Sequence, residues 1–141
     1  MSKSPKSLSL DLKRVIAGPP AKVFEAWLDR KQPCNPWSYG KQVVLEPKVG
    51  KLFCIVMGSA GAHFGRILKL AKGKELKHTW MSRYTRGIES TVTVRFQKHA
   101  AGTLMSLRHT GLPNDSFGRA HIAGWGQFLA MMEGHFSGKK G

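Results

Sequence analysis

The feature that most constrains this chain is a change of period. Between residues 41 and 111 apolar residues recur mostly at every second position, and from about 116 to 137 they recur at every third or fourth. The first spacing is that of strands with one buried face, and the second is that of an amphipathic helix. A chain written this way must lay several strands side by side and then cover them.

The segments follow in order. Residues 7–16, SLSLDLKRVI, put Leu8, Leu10, Leu12 and Ile16 on one face of a strand. Gly18-Pro19-Pro20 ends it, and Pro20 suits the first turn of a helix. Val23, Phe24, Trp27 and Leu28 give AKVFEAWLD one apolar side, so a short helix is predicted there. Residues 30–40 read as a turn region with room for a second short helix near Trp37. Strands are expected at 41–47, 51–57, 64–71, 75–83, 89–98 and 103–111, with a loop at 58–63. In ESTVTVRFQK the residues Val92, Val94 and Phe96 face one way, and Met105, Leu107 and His109 repeat that alternation. The final helix, about 116–137, is expected to run its apolar face through Ile122, Trp125, Leu129, Met132 and Phe136.

Strands joined by short turns form an antiparallel meander, and a one-sided sheet must bury its apolar face. The expected fold class is therefore α+β. Its curved antiparallel sheet of about seven strands is covered by the long C-terminal helix, with two short helices after strand 1. A bent sheet closing on a helix leaves space between them, where ligands find apolar walls and a few polar groups.

Composition narrows the class. With 141 residues, 41% of them hydrophobic, the chain is expected to be one domain, 1–141, ordered over about 7–137. The short polar start and the Gly138–Gly141 tail are expected to fray. No apolar run reaches membrane-spanning length, and MSKSPKSLSLDLK has no apolar secretion block. A cytoplasmic setting is expected, with Cys34 and Cys54 as free thiols.

The net charge is +15, from 23 Lys and Arg against 8 Asp and Glu. Such an excess suits polyanions or acidic proteins. However, the aromatics fall on inward faces rather than between exposed cations, so nucleic acid is disfavoured. Lys69, Lys72, Lys74 and Lys77 make one modest cluster, and the other cations are scattered.

Seven sequence words carry a resemblance. They are AGPPAKVFEAWLD at 17–29, PKVGK at 47–51, GRILKL at 65–70, KELKHTW at 74–80, STVTVRF at 90–96, GTLMSLRHTGLP at 102–113 and HIAGWGQFLAMM at 121–132. Together they resemble the START-like SRPBCC superfamily and, within it, the homologues of the activator of heat-shock-chaperone ATPase. The resemblance implies a helix-grip fold with a deep, mostly apolar cavity. It implies no single function. The chaperone activators that name the family carry an additional N-terminal domain, for which this chain has no room. Lys51 and His78 depart from the family pattern.

The inward faces supply the candidate ligand-binding residues: Phe53, His78, Trp80, Val94, Phe96, Leu107, His109, His121, Trp125, Leu129 and Met132. Trp80 and Trp125 serve either as core aromatics or as cavity walls offering an indole N–H. His109 reads as a core histidine or as a polar group orienting a ligand, and His121 as a solvent-facing cap or a cavity residue. His78, among Leu76 and Trp80, needs a hydrogen-bond partner if buried. Glu133 is placed beside the helix's apolar stripe, and GSAGAHFG at 58–65 reads as a mobile loop at the cavity entrance. The histidines lack metal-ligand spacing, so no metal and no cofactor is expected. No nucleophile–base signature is visible, so no catalytic residue is assigned.

The favoured function is non-enzymatic binding of an apolar or amphipathic small molecule, lipid-like or aromatic, by a monomer or homodimer. One alternative is a stress-related, chaperone-activator type of interaction protein binding an acidic partner. Another is a cyclase- or hydrolase-like enzyme using His78 with His109.

Overall fold

The computed structural model describes residues 7–39 and 42–137. The expected frayed ends lie outside the described residues. Strand β1 (Leu8–Ile16) is followed by helices α1 (Pro20–Leu28) and α2 (Pro36–Tyr39). Strands β2 (Gln42–Val44), β3 (Leu52–Val56), β4 (Ala62–Ala71), β5 (Glu75–Trp80), β6 (Ser90–His99) and β7 (Gly102–Leu112) come next. Helix α3 (Ser116–Ser137) closes the described chain.

All seven strands form one antiparallel sheet in the order β1-β7-β6-β5-β4-β3-β2. Strands β2 to β7 are a plain meander, and β1 returns to the far edge beside β7. Burial alternates along β6 and β7, with Val92, Val94, Phe96, Met105, Leu107 and His109 inside. α3 lies across this inner face and buries Trp125, Leu129 and Met132. Each such side chain contributes roughly 1.5–3 kcal/mol by leaving water. The family-like helix-grip architecture expected from the sequence is the one observed.

Local sequence explains the joints. α1 begins with Pro at its first turn and has no side-chain cap, so packing holds it: Val23, Phe24, Ala26 and Trp27 are buried. Asn35, fully buried, ties its end to α2. Its amide donates to the carbonyls of Ala26 (2.6 Å) and Asp29 (2.9 Å), and its Oδ1 accepts from the Ser38 N–H. Gly65 on β4 lets the Phe53 ring lie flat on the sheet, because a Cβ there would collide with that ring and with the Thr79 carbonyl.

Five expectations shift in detail. Of the strand expected at 41–47, residue 41 lies outside the described residues and pairing within 42–47 covers Gln42–Val44, and β5 ends at Trp80, where Met81 forms a single bridge to Phe64. The 58–65 segment is not all loop: Gly58–Ala60 form one 3-10 turn and β4 begins at Ala62. Ile122 is 44% exposed, and His121 takes its place on the inner face of α3. The buried line runs Gly118, His121, Trp125, Leu129, Met132, so hydrophobicity at 122 gives way to the geometry set by the three residues that follow. Glu133 faces outward and pairs with Arg14 of β1 at 2.6 Å.

The charge lies outside. Every carboxylate except Asp29 has a cationic nitrogen within 3.9 Å, and half of the Lys and Arg side chains among the described residues have no such partner. No helix among the described residues is long and apolar enough to cross a membrane.

Candidate functional site

A cavity of about 260 Å³ lies between the β5 end of the sheet and the first half of α3. Trp80, His63, His121 and Trp125 are its buried walls, and Met57 and Phe128 complete its apolar lining. Ala60, Tyr84, Ala120 and Gly124 surround its mouth. The space exists because α3 carries small residues at 120 and 124, one turn apart, and nothing lies within 4 Å of where a Gly124 Cβ would stand. Rings supply the rest: Trp80 and Trp125 meet at 4.9 Å between centroids, and His63 sits 5.2 Å from Trp80.

The mouth is framed by two tight turns. After β5, Ser82 and Thr85 form a reciprocal capping box, and Arg86 takes a left-handed conformation with φ 57°. This turn presents Arg83, which donates to the Ser59 carbonyl at 2.8 Å and lies 5.2 Å from the Tyr84 ring centre. Arg83 thereby joins the Gly58–Ala60 turn to the opposite lip. Arg86 stacks on Phe117 and pairs with Asp115 at the start of α3.

Behind the cavity runs a directed hydrogen-bond chain. The Trp125 indole N–H donates to His109 Nδ1 at 2.9 Å. That fixes the neutral tautomer: His109 carries its proton on Nε2 and donates it to Ser90 Oγ at 2.7 Å. The Ser90 hydroxyl then donates to the Trp80 carbonyl at 2.5 Å. His109 is fully buried, and burial, aided by the nearby imidazoles of His121 and His78, pushes its pKa down to about 2.

His78 has a different environment. Its Nδ1–H donates to the Thr79 carbonyl at 2.8 Å, and its Nε2 is buried with no partner. Phe53, Trp37 and Trp80 pack around the ring, and burial pushes its pKa down to about 4. Three indole N–H groups, of Trp27, Trp37 and Trp80, are likewise buried without partners.

The structure separates the eleven candidates into two groups. Trp80, His121 and Trp125 border the cavity. Phe53, His78, Val94, Phe96, Leu107, His109, Leu129 and Met132 fill the interior around it. His109 has both ring nitrogens bonded, His78 has only its Nδ1–H bonded, and no hydrogen bond joins the two rings. His121 is buried, not a solvent cap, and its Nδ1–H donates to the Gly118 carbonyl at 3.0 Å. Sequence reasoning missed His63, Tyr84, Met57 and Phe128 as wall residues, and Ser90 as the link below His109. The Ala120/Gly124 spacing was the available signal, since small residues beside an aromatic stripe mark a gap. No group of metal-ligating side chains occurs among the described residues.

Comparisons with known proteins agree with this architecture. The family described as "Activator of Hsp90 ATPase homolog 1-like protein" matches residues 17–137. No curated protein matches the chain. A crystal structure of a Mesorhizobium loti protein superposes with TM-score 0.77 at 21% identity, covering 94% of this chain and 99% of that one. The solution structure of an Aha1 dimer from Colwellia psychrerythraea gives 0.78 at 15% identity, covering 95% and 99%. CalU16 from Micromonospora echinospora gives 0.74 at 18% identity, covering 94% and 78%. At these identities the likeness is one of fold.

Proposed function

The chain belongs to the activator of Hsp90 ATPase homologue 1-like family, and on that premise we propose that it binds a small apolar or amphipathic molecule, without chemistry, in the cavity beneath α3. One observation carries the reading: a space of about 260 Å³ walled by Trp80, Trp125, Met57 and Phe128. The size sets the scale: a dry cavity of about 150 Å³ holds one benzene, so this one suits a molecule of about two fused rings. His109 is held neutral with both nitrogens bonded, which argues against histidine catalysis.

Native mass spectrometry of the purified protein, followed by thermal melting with two-ring aromatics, tests this reading. A bound ligand at 100 times its Kd adds about 2.7 kcal/mol, several degrees of Tm. No co-purifying mass and no Tm shift with any such compound contradicts it.

A second reading has its own observation. The unpaired cations on the outer surface suit an acidic protein partner, in keeping with a family named for a chaperone activator. Such a partner would be held at low salt and released at high salt. A homodimer is a further expectation, which sedimentation would decide.

A further inference from the structure

Two imidazoles in the cavity wall have no part in the relay behind it. His63 on β4 donates its Nδ1–H to the Gly61 carbonyl at 3.1 Å, and His121 on α3 donates its Nδ1–H to the Gly118 carbonyl at 3.0 Å. A carbonyl can only accept, so each neutral ring must be the Nδ1–H tautomer. Nε2 of each ring is then a bare acceptor, and no donor among the described residues is bonded to it. Both residues border the same cavity.

The wall holds no carboxylate among the described residues. The charged and titratable groups around the two rings are Arg83 and Tyr84 beside His63, and His109, whose ring centre is 5.0 Å from that of His121. Asp115, the carboxylate at the start of α3, is held by Arg86 and by the Gly118 N–H. The environment is therefore one of neutral acceptors under a positive rim, on a chain of net charge +15.

Resting on the cavity-binding reading above, we infer that the ligand is a two-ring aromatic acid, and that its complex holds one proton more than free anion and free protein, shared between the acid oxygen and an Nε2 of His63 or His121. The inventory of the site selects this class. A bare Nε2 needs a hydrogen to bond, and a carboxylate bound beside it draws one proton from solvent that the oxygen and the nitrogen can share. An ammonium also brings hydrogens, but it meets Arg83 at the mouth and finds no carboxylate inside. A neutral hydrocarbon fills the volume and leaves both acceptors unpaired. Burial lowers the pKa of both imidazoles, with mutual repulsion and Arg83 adding to the effect at His63, so both rings are neutral at pH 7 before the ligand arrives. The proton then comes from solvent. It makes one N···H–O or N–H···O bond.

The experiment is calorimetric titration of the full chain with 2-naphthoate, in HEPES and in Tris, between pH 7 and 8.5. Buffers with different ionisation heats report the number of protons taken up. The expected result is uptake of about one proton and a Kd that weakens about tenfold per pH unit, the slope set by one-proton linkage. The isosteric neutral 2-naphthamide should bind with no proton uptake and no pH slope. A His63→Phe/His121→Phe double variant should lose the naphthoate slope. If naphthoate and amide bind alike with no proton exchanged, or if the double variant keeps the slope, the inference falls and the cavity reading stands. If neither compound binds, both fall. The proton count on the unaltered protein decides the matter even if the variant does not fold.

Discussion

The Trp125 indole N–H donates to His109 Nδ1 across the sheet–helix interface at 2.9 Å, so α3 is fastened to β7 by a bond whose direction sets the histidine's tautomer. The chain continues through Ser90 to the Trp80 carbonyl, and every donor in it has an acceptor. Low dielectric makes such a network stabilising when complete and costly when broken.

His109→Leu therefore leaves the Trp125 N–H buried and unpaired and removes the Ser90 donor. A loss of about 2–4 kcal/mol is expected, a fall in Tm of roughly 10 °C. His78→Leu should behave differently. It gives up one bond to Thr79 but also removes the unpaired Nε2, so a change within about 1 kcal/mol is expected. Urea unfolding of the two variants side by side checks the contrast, and equal losses would contradict it.

The buried imidazoles predict acid sensitivity. In the unfolded chain a histidine takes up its proton near pH 6.5, whereas His78 waits until about 4 and His109 until about 2. Their folded pKa values are depressed, so the unfolded state binds protons first. Their full contribution is present above pH 6.5 and is lost as pH falls from there toward 4. Each group costs up to about 1.4 kcal/mol per pH unit in that window. The carboxyls of Glu75 and Asp115 are held below their ordinary values, Glu75 chiefly by a bond from Lys69 and Asp115 by the Gly118 N–H and then Arg86. Their contribution is lost only at lower pH, below the usual carboxylate range. The urea midpoint should fall clearly between pH 7.5 and 5.5, and an unchanged midpoint would contradict the assignment.

Gly124 offers a direct handle on the cavity. Gly124→Ala adds a Cβ in open space on a helix and should stabilise by roughly 0.5–1 kcal/mol. Gly124→Leu should fold as well and occupy the cavity, abolishing ligand-induced Tm shifts. Retained binding in a folded Gly124→Leu protein would move the ligand elsewhere.

The two thiols should separate by reactivity. Cys34 is 1% exposed, and burial, with the Asp29 charge second, pushes its thiol up to about 11, while Cys54 is half-buried. A thiol reagent at pH 8 should label Cys54 in the folded protein and reach Cys34 only on unfolding. Mass mapping of the labelled peptides reads this out.

The strand alternation in β6 and β7 and the apolar stripe of α3 were legible because period alone encodes which face is buried. The inner placement of Trp80, His109 and Trp125 followed from the same rule. What period cannot show is which inward side chains meet. Ser90 and His109 are joined by strand register, and His63 reaches the same cavity as His121 only because β4 and α3 converge there. The position of Ile122 was misjudged for a related reason. Ile122 is the more hydrophobic neighbour, but Trp125, Leu129 and Met132 fix the helix's rotation and turn residue 121 inward.

The central claim, that the space beneath α3 holds a small aromatic ligand, is tested most directly by the indole N–H signals of the four tryptophans in a ¹⁵N-labelled sample titrated with 2-naphthoate. Trp80 and Trp125 should shift most and saturably, and the same titration of Gly124→Leu should leave them in place. Indole signals that never move, or that move equally in the filled variant, would contradict it.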